Sequence, residues 1–105
     1  MQLSPRDTYI GVWHVEVGDA ELGLGHFDAA IDAYHKSIDL GFHAFAPYVD
    51  LAAAYALEGK MDEARPALAE AHRLNPQLTV KWLQTVAPNL PLLFEGVRKA
   101  GLPEE

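Results

Sequence analysis

A chain of 105 residues, half of them hydrophobic and 22% charged, has the make-up of one small folded domain and not of a disordered tail. Its net charge of −7, from 15 acids against 8 bases, repels phosphate and argues against a nucleic-acid partner, and the lack of cysteine excludes disulfides and thiolate metal sites. No run reaches the roughly 18 apolar residues of a membrane span, and the N-terminus lacks the charged and apolar regions of a signal peptide, so no membrane association and a cytoplasmic location are expected.

Taken in chain order, residues 1–10 read as a lead-in, in which Leu3-Ser4-Pro5 echoes Leu74-Asn75-Pro76 and suggests an excerpt from a longer protein. Residues 11–44 divide into two helices about a turn at Gly25. In the second of them Phe27, Ala30, Ile31, Tyr34 and Ile38 recur at three- and four-residue steps and make one apolar face, opposite Asp28, Asp32, Lys36 and Asp39. Asp32 and Lys36, acid first and four apart, form a solubilising pair.

Residues 45–78 repeat this plan. GHFDAAIDAYHKSIDL (25–40) aligns with GKMDEARPALAEAHRL (59–74) at an offset of 34 residues. Gly25 matches Gly59, Phe27 matches Met61, Asp28 matches Asp62, Ala30 matches Ala64 and Leu40 matches Leu74, while upstream Gly18 falls opposite Ala52, where small residues let helices approach. Asp28 and Asp62 open the second helix of each pair, placed to cap free amides or to complement the helix dipole. Pro66 sits about one turn into its helix, where few backbone donors need partners. Beyond Pro76, Val80, Trp82, Leu83 and Val86 predict a further helix that packs on the second repeat and stops near Pro88. Pro91 then starts a short helix over LLFEGVRKA (92–100), ended by Gly101 as a left-handed cap and by Pro103, so 79–105 reads as a pair of capping helices.

The period and its residues resemble the tetratricopeptide-repeat (TPR) family. In the second repeat Tyr48, Leu51, Ala52, Tyr55, Gly59, Ala64, Ala71 and Pro76 stand at the signature positions. The first departs at His14, Glu21, Ser37 and Phe42 and keeps Gly18, Gly25, Phe27, Ala30 and Tyr34. The segments SPRDTYIGVW (4–13), 51–76 and FEGVRKAGLPEE (94–105) together resemble the C-terminal repeat tails of bacterial adenylate/guanylate cyclase-like proteins and related winged-helix regulators, without their catalytic or DNA-binding parts. The resemblance implies an all-α superhelix of two helix-turn-helix repeats with C-terminal capping helices, and a scaffold or signalling role.

It also implies that the first helices of the repeats line a concave peptide-binding groove. In this register the groove positions are Val12, Val15, Asp19 and Leu22, then Ala46, Val49, Asp50, Ala53 and Ala56, extended by Val80 and Leu83. The lining is apolar and faintly acidic, which suits an apolar or mildly basic peptide or helix, either a separate protein or another domain of the parent chain. Packing between helices is the alternative for each of these residues, since a short array can curl over its own groove. The family's clamp for acidic C-terminal peptides uses Lys and Asn on these helices, where this chain has Val15, Asp19 and Asp50, so an acidic tail is not expected to bind.

The remaining constellations favour bland readings. His14, His26, His35, His43 and His72 show no HExxH spacing, so no metal and no cofactor are expected. His35 and Asp39 read as a surface pair, Ser4, Ser37, Thr8, Thr79 and Thr85 lack a neighbouring base, and Trp13 and Trp82 read as packing anchors. The expected function is a non-enzymatic protein-interaction module. A homo-oligomerisation element is the alternative, and a small metal-dependent enzyme, carried only by the histidines, is a third reading.

Overall fold

A computed structural model of the chain describes residues 5–42, 44–87 and 90–105, with side chains from Ile10 onward. Leu3, Ser4, His43 and Pro88 lie outside the described residues. All regular structure among the described residues is helical: α1 (Pro5–Gly23), α2 (Phe27–Asp39), α3 (Phe45–Leu57), α4 (Met61–Leu74), α5 (Val80–Val86) and α6 (Pro91–Ala100). The expected lead-in over 1–10 is helical from Pro5, a residue whose fixed φ suits the first turn.

The 34-residue period is visible in the helix ends. α1 ends at Gly23 and α3 at Leu57, while α2 begins at Phe27 and α4 at Met61. The turns between them share one backbone geometry. Gly25 and Gly59 hold φ of 79° and 80°, a left-handed conformation that a side chain would resist. The following amides, His26 N and Lys60 N, reach back to Glu21 O at 2.9 Å and Tyr55 O at 2.8 Å. This is the Schellman closure, in which the helix's last carbonyls find partners and the chain reverses at once.

The helix starts are less conventional. His26 and Lys60 are the N-caps of α2 and α4 and make no side-chain cap bond, so Asp28 and Asp62 complement the dipole from the first turn without capping amides. Pro66 is the sixth residue of α4, beyond the first turn, whose amides have no intrahelical acceptor, so the helix runs through it without the bond residue 66 would otherwise have made to the Asp62 carbonyl.

α1 packs on α2, α3 on α4, and α2 on α3, and one contiguous core of buried side chains draws on all six helices. Two close approaches join α1 to α2 and to the turn that follows it. A methyl group at Gly18 would overlap the Tyr34 ring, so α1 and α2 can meet there only because position 18 has no side chain. A Cβ at Gly11 would lie 2.8 Å from the Phe42 Cβ, and the Ser37 hydroxyl donates to the Gly11 carbonyl at 2.9 Å. Ser37 therefore ties α2 to the α1 backbone.

The C-terminal pair is closed on itself. α5 has only seven residues, and each of its first three amides has a partner: Val80 N donates to Pro103 O and Lys81 N to Glu104 O, both at 2.9 Å, and Trp82 N donates to the Thr79 hydroxyl at 3.0 Å. The segment after α6 thus caps the start of α5. Gly101 takes the expected left-handed conformation at φ 107°, and Leu102 turns inward, buried, with its amide on Val97 O.

Candidate functional site

The groove expected along the first helices is filled. Leu93, Gly96, Val97 and Ala100, spaced three and four apart on α6, are buried and face α3, and α6 also touches α1. The tightest point is Gly96, where a Cβ would lie 2.6 Å from the Ala53 carbonyl oxygen and 2.7 Å from its Cβ. Two helices approach this closely only where both contacting residues are small.

Most of the expected lining is consequently interior. Val15, Leu22, Val49, Ala53, Ala56, Val80 and Leu83 are buried, Ala46 is half-buried, and only Val12, 36% exposed, faces outward. As exposed contact positions these residues are corrected: they belong to the one core, in which α6 packs across α3. The one midhelical glycine of α6 was the sequence signal of that close approach.

Asp19 and Asp50, expected at the groove edge, are brought together at the junction of α1, α2 and α3. Asp50 is 4% exposed. Beside it, Asp19 Oδ1 accepts the Tyr34 hydroxyl at 2.7 Å. Burial, then the charge of Asp19, pushes the Asp50 carboxyl well above the usual carboxylate range. Burial, followed by the Asp50 and Asp19 carboxylates, likewise pushes the Tyr34 phenol upward. Tyr34 read from sequence as one more apolar face residue. The available signal was Asp50 itself, the lone charged residue in FAPYVDLAAAYAL.

A second carboxyl pair is more open. The neighbouring Asp28, at the start of α2, and then burial push the carboxyl of Glu58, after α3, above its ordinary range. Glu58 Oε1 has no hydrogen-bond partner among the described residues but lies 3.4 Å from Lys60 Nζ. Beside it, Tyr55 OH and His35 Nε2 are 2.9 Å apart, so His35 pairs with Tyr55 and not with Asp39. Asp32 and Lys36 make their exposed ion pair at 3.0 Å.

The other histidines are dispersed. His72 Nε2 lies 3.0 Å from Leu78 O, His26 stands beside Glu21, and His14 stacks edgewise on Trp13. Among the described residues no three His, Asp or Glu side chains converge as a metal site would require. Trp82 is a packing anchor, edge-on to Phe45 at 5.4 Å. Trp13 is not, since it is 51% exposed on the outer side of α1 beside Val12.

No helix of the described residues is long and apolar enough to cross a membrane. No protein-family model, no curated protein and no solved structure matches this chain.

Proposed function

We propose that this chain is a helix-binding interaction module, built on two TPR-like hairpins, whose first-helix groove receives an amphipathic helix and is occupied at rest by its own α6. The observation that carries the proposal is the seat of α6 on α3, with Gly96 against Ala53. The helical period of 34 residues and the matched turns at Gly25 and Gly59 support the repeat assignment. Helix-in-groove recognition reads anchors at three- and four-residue steps, and α6 presents its buried face in that pattern. The chemistry of the occupant defines the partner: apolar anchors around one glycine or alanine, with basic residues such as Arg98 and Lys99 at the exposed end. Such a module docks a partner, or a neighbouring domain of a larger signalling protein, and performs no chemistry.

The test is exchange. In full-length Gly96→Gln the longer side chain keeps α6 off Ala53, and a labelled peptide of residues 90–105 with the native glycine should then bind saturably in the micromolar range by fluorescence anisotropy. Wild-type protein should bind it far more weakly, and a peptide carrying glutamine at 96 should not bind. A helical Gly96→Gln protein that ignores the native peptide would sink the proposal.

Trp13 and Val12, exposed together on α1, favour self-association as a second reading. Light scattering across concentration decides it, and a persistent monomer removes it.

A further inference from the structure

We infer that residues 102–105 form a clasp that holds α6 in its seat by gripping the start of α5, so that loosening this segment frees α6 while α1–α4 stay folded. The inference rests on the reading of α6 as the groove's resident occupant and adds how that occupancy is held. At Gly101 a left-handed turn, φ 107°, swings the chain off α6. Leu102 then enters the core, 4% exposed, with its amide on Val97 O at 2.9 Å. The carbonyls of Pro103 and Glu104 accept from Val80 N and Lys81 N, both at 2.9 Å. Glu104 also folds back on α6, where Arg98 donates to its carboxylate from Nε at 2.9 Å and from Nη2 at 3.3 Å.

The post that the clasp grips is itself fixed. His72, near the end of α4, donates from Nε2 to Leu78 O at 3.0 Å, a bond that involves no residue of α6. Leu78 and Val80 are both buried in the common core. The seat of α6, in contrast, is a poor hold by itself, since Gly96 and Ala100 are two of its four buried residues and bury little apolar surface. Leu102 contributes as large an apolar side chain as Leu93, the largest of those four.

Reach makes clasp and seat interdependent. From Ala100, the last residue of α6, to Pro103 is a step of three residues, at most about 11 Å of chain. The Pro103 carbonyl meets the Val80 amide only when the end of α6 lies within that distance, so α6 cannot leave α3 with the clasp closed. The two open as one unit, and whatever weakens the clasp raises the opening constant of α6 by the same factor.

Native-state hydrogen exchange of the full chain, followed by NMR, tests this. The Val80 and Lys81 amides report the clasp, because their acceptors are its carbonyls. In wild type they should share one opening constant with the Val97 and Ala100 amides of α6, larger than that of amides in the middle of α2 and α4. Leu102→Ala should raise that shared constant about thirtyfold or more, the lower end of the cost of truncating a buried leucine. Gly101→Ala adds a Cβ that meets nothing within 4 Å but holds a side chain in the left-handed region, so it loosens the turn without touching the packing. It should raise the same constant about tenfold, and it decides alone if Leu102→Ala does not fold. Tyr34→Phe, which weakens the first hairpin, should speed exchange in α2 and leave the clasp and α6 as in wild type.

Three results overturn the clasp: Val80 and Lys81 amides that exchange far ahead of α6 in wild type, α6 amides that ignore both clasp variants, or α6 amides that follow α2 in Tyr34→Phe. Failure of the helix-binding reading looks different. If Gly101→Ala opens α6 but neither it nor Gly96→Gln takes up the labelled peptide of residues 90–105, helix binding falls and the clasp stands.

Discussion

Replacing Gly96 by alanine sets two known effects against each other at one atom. In a helix interior the substitution gains about 0.5–1 kcal/mol through reduced backbone freedom. Here, however, the new methyl would stand 2.6 Å from the Ala53 carbonyl oxygen and 2.8 Å from its Cα. These are backbone atoms of a buried helix and cannot step aside, so α6 itself must move. Restoring ordinary contact takes a shift of about 0.8 Å, enough to forfeit a quarter to a half of the dispersion energy at each affected contact of Leu93, Val97 and Ala100. Overpacking of this kind costs about 1–3 kcal/mol, so the net expectation is a loss of about 1–2 kcal/mol. Urea unfolding should show it as a midpoint lowered by about 1 M. Gly23→Ala is the control, because its added Cβ meets nothing within 4 Å and its φ is not positive. That variant should match or exceed wild type. If Gly96→Ala unfolds at the same or higher urea concentration than wild type, the close seat of α6 on α3 is wrong.

Tyr34→Phe removes the hydroxyl that donates to Asp19 and leaves a partly buried carboxyl oxygen unserved. The cost should be about 1–3 kcal/mol, read as a thermal midpoint lower by roughly 5–15 °C. Thr79→Ala frees the Trp82 amide at the start of a seven-residue helix and should cost about 1 kcal/mol, with Trp82 fluorescence shifting toward that of an exposed indole. An EEVD-type peptide, which lacks the apolar anchors of α6, should show no saturable binding by calorimetry to wild type or to Gly96→Gln, because Val15, Asp19 and Asp50 stand where a basic clamp would be needed. Saturable, salt-sensitive binding of such a peptide would refute the acidic character assigned to this face.

Local chemistry was legible from the chain alone. The 34-residue offset located the two central hairpins, because each reversal demands a glycine at a left-handed position, and Gly25 and Gly59 are separated by that interval. Gly101 announced the end of α6 for the same reason, and apolar steps of three and four marked the inward face of α2. Long-range placement was not legible. Periodicity states that a face is apolar without stating what covers it, so Val49, Ala53 and Ala56 read equally well as an open groove or as core. Only the return of α6 across α3 decided between them. Likewise the burial of Asp50 and the bond of Tyr34 to Asp19, 15 residues away, came only with the packing of the helices. Trp13 shows the converse: its size argued for the interior, yet the packing of α1 left it in water. Turn geometry is set by single residues and their immediate neighbours, and a sequence carries that directly. Burial and proton affinity depend on which distant surfaces come to rest against one another, and only the folded chain determines those.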